Sequence, residues 1–280
     1  MTYKIVGDSS CDVTEEMMKA YGIAIAPLSF TLDGIEYIDD DQLDLENYLK
    51  KIDESPNTPK SACPSISDYM SLFEGEHECT FVVTLSSELS GSYNSAMNAR
   101  EMFLEENPTK KVHVVDSRGA ASGEVVIALK LVELAESGLG FDEVVEIIEK
   151  FRDANRVVFV LYNIDTQEKN GRLSKMKAKI VRALNLKLIL MATNEGAIDL
   201  KDKARGTKKA LKKMVELMGK EKEVTDDLTI VIAHTHAKER AEDVKALIEA
   251  SYSHYKEIII VPTKGLSSTY ANVGGIIVSY

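Results

Sequence analysis

The feature that most restricts this chain is the regular exchange, through its first half, of short apolar runs with amphipathic stretches of helical length. YKIVG (3–7) is followed by the polar loop DSSCDV and then by TEEMMKAYG, a helix closed by Gly22. IAIAPLSFTL (23–32) reads as a second buried extended run, and Asp33-Gly34 as the turn of a hairpin that returns into IEYI. A polar helix around LENYLKKI leads to the proline-punctuated SPNTPKSACPS. The strand CTFVVTL and its helix follow, then the strand VHVV, the loop DSRGAASG and the helix EVVIALKLVELAESG. Strands alternating with helices of this length predict an α/β fold whose parallel sheet is covered on both faces.

After about Arg156 the order changes. The strand VVFVLYN precedes a basic helical stretch, GRLSKMKAKIVRAL, and LKLILMATNEGAIDLKDKA reads as two strands joined by a turn at Asn194-Glu195-Gly196. Helices around KKALKKMVELMG and AEDVKALIEASY enclose the strand LTIVIAH, and the chain closes with EIIIV and GGIIVSY, separated by PTKGLSSTYANV. This order predicts a smaller α+β domain with a mixed or antiparallel sheet and helices on one face. The 280 residues suit two such domains, expected at 1–156 and 157–280.

Acidic side chains outnumber basic ones, 45 to 34, for a formal charge of -11. That balance disfavours a nucleic-acid surface, which needs a basic patch to displace counterions, and also disfavours docking on anionic lipid. MTYKIVGDSSCD lacks the charged start and apolar core of a signal peptide, and no apolar run reaches membrane-spanning length, so a cytoplasmic protein without integral membrane contact is expected. Cys11, Cys63 and Cys79 are odd in number and widely spaced, which fits free thiols better than disulfides or a paired-cysteine zinc site.

Ligands of open α/β sheets lie beyond the carboxyl ends of the strands. Three polar loops fall there: Asp8-Ser9-Ser10, Ser86 through Ser92, and Asp116-Ser117 with Ser122-Gly123. The second, within VVTLSSELSGSYNSA, places Ser90-Gly91-Ser92 at the mouth of a helix. There, unpartnered backbone amides and the peptide dipoles hold an anion without a basic side chain. Gly91 permits close approach to the backbone, and Ser90 and Asn94 add donors; the alternative is a simple N-cap followed by a polar turn. A second small-polar loop, Ser61-Ala62-Cys63-Pro64-Ser65, precedes its own helix. A carboxylate or phosphate between the two helix mouths would meet Ser61 on one side and Ser90 on the other, both neutral. That suits a carboxylate whose tail lies in apolar surroundings, because a buried arginine would itself require desolvation and a partner.

DSSCDV, PKSACPS, LSSELSGSYNSA, VVDSRGAASG, KNGRL and PTKGLSSTYANVGG stand in the order, and at about the separations, of motifs in the DegV family of fatty-acid-binding proteins, which the chain resembles over its whole length. The resemblance implies a long-chain fatty acid held between an N-terminal α/β domain and a smaller C-terminal domain, with its carboxylate on Ser61 and Ser90. It further implies presentation of that carboxylate to a separate ATP-dependent fatty-acid kinase subunit, which converts it to an acyl phosphate. The chain departs from the family pattern at Ala62 and Cys63, where serine and glutamine are usual. Around Ser268-Thr269-Tyr270 it also has Tyr270 in place of a histidine associated with the head group. Tyrosine donates a hydrogen bond but carries no positive charge near neutral pH, so carboxylate binding survives the comparison better than phosphotransfer. Thr269 and Tyr270 join the expected ligand site. Arg172, in Lys169-Asn170-Gly171-Arg172, and Arg205, in KARGTKKAL, match the expected kinase-facing positions; the alternative for both is solvated charge.

Other constellations carry less. His234 and His236 share a strand face but lack a third metal ligand. Cys63 would be a nucleophile only with a histidine against it. Asp8 and Asp116, as general bases, compete with the commoner role of capping a loop, as do Ser9 and Ser117. Asp39-Asp40-Asp41 lacks the spaced oxygens of a calcium loop and reads as the solvated approach to a helix. The expectation is a lipid carrier without catalytic machinery, cofactor or metal, its bound fatty acid aside. The rival is an enzyme acting on a small phosphorylated or carboxylated metabolite at the sheet edge, with Cys63 or an aspartate as catalyst.

Overall fold

The alternation of apolar strands and helices in the first half folds as its period requires. A computed structural model describes residues 2–173 and 185–280. The first half comprises β1 (Tyr3–Asp8), α1 (Glu15–Tyr21), β2 (Ile23–Ala26), β3 (Ser29–Leu32), β4 (Ile35–Ile38), α2 (Leu45–Glu54), β5 (Lys60–Ala62) and α3 (Ile66–Phe73). It continues through β6 (Cys79–Thr84), α4 (Ser92–Glu106), β7 (Lys111–Asp116), α5 (Ser122–Glu136) and α6 (Phe141–Ala154). Strands β2, β1, β6 and β7 form, in that order, an all-parallel sheet. Alternate residues face opposite sides. Val6, Val82 and Val114 pack with Tyr69, Phe73, Ala96 and Phe103 of α3 and α4, whereas Ile5, Phe81 and Val83 pack with residues of α5 and α6.

The expected single run IAIAPLSFTL divides in two. Pro27, without an N–H to offer a ladder, separates β2 of the parallel sheet from β3. Strand β3 instead centres a separate antiparallel sheet ordered β4-β3-β5. The hairpin turn has positive φ at both Asp33 (53°) and Gly34 (80°), the geometry of a type I′ turn. Strand β5 was not expected: Ser61 sits on it, opposite Phe30, rather than in a loop.

The second half holds β8 (Val157–Leu161), α7 (Asp165–Lys169), β9 (Leu186–Ala192), β10 (Ile198–Arg205), α8 (Thr207–Glu221) and β11 (Thr229–His234). Then come α9 (Lys238–Ser251), β12 (Glu257–Pro262), α10 (Gly265–Ala271) and β13 (Ile276–Ser279). Residues 174–184, most of the basic stretch expected to be helical, lie outside the described residues. The six strands form a mixed sheet, β10-β9-β8-β13-β11-β12, in which only β11 and β12 run parallel. Helices α8 and α9 cover one face, packing Leu211, Met214, Val215, Val244 and Ile248 on Val158, Val160, Ile230 and Ile232. The other face meets α5 in a core that joins Val125 and Leu131 to Phe159, Val231 and Ile277. Helix α5 is buried almost around its circumference, as EVVIALKLVELA, with few polar positions, requires.

Candidate ligand-binding site

The carboxyl edge of the parallel sheet is tied into one piece. Asp8 Oδ1 accepts the N–H of Ser10 (3.0 Å) and its Oδ2 that of Leu85 (2.9 Å). The Ser86 N–H donates to Gly119 O at 2.8 Å, and Ala121 N–H to Ser10 Oγ at 3.4 Å. Ser9 Oγ accepts from Leu28 N, Ser117 Oγ from Gly119 N, and Asp116 Oδ1 from Ser87 N and Arg118 N. These side chains hold loops, the structural role weighed for them from sequence.

Above this edge lies a cavity walled on its other side by the mixed sheet. Leu85, Leu89, Val157, Phe159, Ile198 and Leu266 make its wall predominantly apolar. Ser61, Ser90, Tyr270 and Arg172 also line it. Ser61 Oγ and Tyr270 Oη share a hydrogen bond of 2.9 Å. Arg172 Cζ stands 5.7 Å from the Tyr270 ring centroid, and its Nε donates to Leu89 O at 3.2 Å, beside Ser90. Ser90 Oγ accepts the N–H of Ser92 (3.2 Å) and lies 3.1 Å from Ser92 Oγ. No side chain caps α4 at Gly91. A group settling here meets neutral hydroxyls, the start of a helix and one guanidinium, a set that recognises an anion.

The remaining expected residues fall elsewhere. Asn94 is exposed on the first turn of α4, and Gly91 is exposed beside Cys63, whose Sγ would stand 3.2 Å from a Cβ placed there. Thr269 is buried and turned away, donating to Gly265 O at 2.7 Å and lying 3.3 Å from Tyr48 Oη. Arg205 is exposed at the end of β10 and does not line the cavity.

Several contributors went unseen in the sequence. Gln167 lines the cavity, together with Ser10 of the first polar loop, and its side-chain amide donates to Tyr270 O. Gly196, in the anticipated turn between β9 and β10, also lines it. Its carbonyl accepts from Ser86 Oγ at 2.9 Å, and φ is +91° where a side chain would collide with Ser86 and Arg118. Only the Asn194-Glu195-Gly196 turn signal hinted at this approach.

Acidic side chains are enclosed around the same loops. Glu124 is fully buried, and burial together with the charge of Asp8 pushes its carboxyl well above the ordinary range, favouring the protonated form. Burial raises Asp12 to about 8 and Asp39 to about 6. The expectation of a solvated approach to a helix therefore fails at Asp39, which is 4% exposed. The cause is the fold of the hairpin sheet: Asp39 N–H donates to Leu28 O at 2.9 Å, drawing the residue inward, while the flanking Asp40 and Asp41 stay exposed. His234 is buried, its Nδ1 accepting from Ala237 N at 3.3 Å. Among the described residues no three His, Cys, Asp or Glu side chains are placed to hold a metal ion, and no helix is long and apolar enough to cross a membrane.

The sequence model of one family, described as "Uncharacterised protein, DegV family", matches residues 2–280. The chain belongs to the DegV family. A DegV-family protein of Ruminococcus gnavus, solved with vaccenic acid, is similar at 41% identity and a TM-score of 0.96, with all of both chains covered. The fatty acid kinase (Fak) B3 protein of Streptococcus pneumoniae, loaded with linoleic acid, is similar at 33% identity and a TM-score of 0.91, covering 100% of this chain and 99% of that one. A DegV domain-containing protein of Streptococcus pneumoniae R6 is 34% identical over 282 residues, covering 100% of this chain and 99% of its own. DegV structural neighbours of this chain thus bind fatty acids, on a fold shared with it from end to end.

Proposed function

We propose that this DegV protein holds one long-chain fatty acid, with its carboxylate on the hydroxyls of Ser61, Ser90 and Tyr270 and its chain along the apolar cavity. In this reading residues 1–156 carry the carboxylate-binding loops and 157–280 close over the chain. The protein works in the cytoplasm as a carrier, without catalytic machinery or cofactor of its own. The observation that carries the reading is the meeting of Ser61, Ser90 and Tyr270 on the wall of an otherwise apolar cavity. Each hydrogen bond to a charged acceptor contributes about 1.5–3 kcal/mol, and each buried CH₂ about 0.8 kcal/mol, so the tail supplies most of the affinity and the hydroxyls its orientation. Gly91 and Asn94 flank the head group at the exposed start of α4, and Thr269 braces the turn that bears Tyr270.

The carboxylate is presented, on this account, to an ATP-dependent kinase partner that forms the acyl phosphate. The likeness to the Fak B3 protein supports the partnership. Arg205 is its contact surface, and Arg172 stands where added negative charge on the head group would be met.

Native mass spectrometry of protein purified from a bacterial host tests the binding: a retained long-chain acid is expected. Clean unliganded protein that gains no thermal stability from added fatty acids would favour the rival enzyme. For the partner, Arg205→Ala should leave acid binding unchanged and lower acyl-phosphate yield with the kinase; equal yields would remove Arg205 from that surface.

A further inference from the structure

Helix α10 carries Tyr270, yet it does not hold its own N-terminus. Its N-cap residue, Lys264, makes no side-chain cap. Three successive amides are instead taken by two carboxylates of the first half. Asp12 Oδ1 accepts from Lys264 N at 2.7 Å; Asp39 Oδ1 accepts from Gly265 N at 2.9 Å and its Oδ2 from Leu266 N at 2.8 Å. Asp39 is 226 residues from Gly265 in sequence. The fit is close: a side chain at Gly265 would run into Asp39 Oδ1 and Leu43 Cδ2.

The same Asp39 is fixed to the hairpin sheet that bears Ser61. Its N–H donates to Leu28 O, one residue before β3, and Phe30 of β3 pairs with Ser61 of β5. One small sheet therefore carries both Ser61 and the carboxylate that grips α10, and five residues beyond Gly265 that helix presents Tyr270 to Ser61 at 2.9 Å. Burying a carboxylate is unfavourable unless its oxygens are well paired. A local serine, threonine or aspartate at the N-cap would have capped the helix without that cost. The remote cap adds one thing a local cap lacks, a fixed relation between the two hydroxyls.

We propose that Asp39, aided by Asp12, is a positioning residue of the head-group site: its carboxylate grips the start of α10 and thereby sets the separation of the Ser61 and Tyr270 hydroxyls. This rests on the reading of those hydroxyls as the carboxylate site. The test is a double-mutant cycle on oleate affinity, measured by titration with folding checked by circular dichroism, for wild type, Asp39→Asn, Tyr270→Phe and the double variant. Asp39→Asn should weaken binding about tenfold, since it turns an amide donor toward a backbone N–H. Because Asp39 acts through Tyr270, the double variant should be no more than about threefold weaker than the weaker single variant. A folded Asp39→Asn protein with wild-type affinity, or losses that multiply to about a hundredfold in the double variant, would overturn the inference while leaving the fatty-acid reading intact. Failure of wild type to bind oleate would overturn both. Should Asp39→Asn not fold, Asp39→Ser, which keeps one acceptor, takes its place in the cycle with the same outcomes.

Discussion

Ser61, Ser90 and Tyr270 are partly exposed along the cavity and bond to one another or to their own loop, whereas Asp8, Asp12 and Asp39, behind the same loops, are closed off from water, Asp8 and Asp39 directing both oxygens and Asp12 one at backbone amides. The difference teaches how an acidic protein, at a formal charge of -11, can offer a place to another acid. Asp8 and Asp39 near the site are engaged with amides, and burial favours the protonated forms of Asp12 and Glu124. What faces the cavity around Ser61 and Ser90 is hydroxyl and one guanidinium. Like-charge repulsion within a few ångströms would otherwise cost several kcal/mol at an interior dielectric.

The comparison breaks most readily at the hydroxyls. Replacing Ser61 and Ser90 together by alanine should weaken fatty-acid binding by roughly 1–3 kcal/mol, because donors to a charged group are lost, while the protein still folds with only the Ser92 N–H deprived of its acceptor. Calorimetric titration reads this directly. Unchanged affinity would remove both residues from the head-group site.

The enclosed acids are tested by pH. Asp12 is raised from 3.8 to about 8 by burial, so the folded protein prefers its protonated form. The stability this contributes is complete below about pH 4 and is lost as pH rises through 8. Thermal melts should therefore show stability falling from about pH 5 to 8 and levelling above that, and Asp12→Asn should flatten that slope. A variant whose slope matches wild type would mean that Asp12 does not titrate in this range.

Local features of the fold were legible. The strand and helix periods announce the parallel sheet, the Asp33-Gly34 pair marks the hairpin of the small antiparallel sheet, and the missing polar side of EVVIALKLVELA marks a helix without a water face. The position of Ser90 between an apolar strand and a helix could also be read directly. What escaped were relations between distant segments. Pro27 divides an apparently continuous run between two sheets, and nothing local says that the second part will lead β3 beside β5 and place Ser61 on a strand. Asp39 looks solvated because its neighbours Asp40 and Asp41 are. Its burial depends on amides 226 and 227 residues away. Gln167 and Gly196 join the cavity only once the mixed sheet closes over the first. Arg172 is matched from its motif to a partner surface, and no local signal places its side chain over Tyr270 on the cavity wall.

The central claim is that uncharged alcohols hold the acidic end of an acyl chain. A crystal structure of the protein with palmitate tests it most directly. The account predicts carboxylate oxygens within about 3 Å of both Ser61 Oγ and Ser90 Oγ, with the tail running along Leu85 and Phe159. Palmitate bound with its methyl end at Ser61, or with its carboxylate paired elsewhere and both hydroxyls untouched, would contradict it.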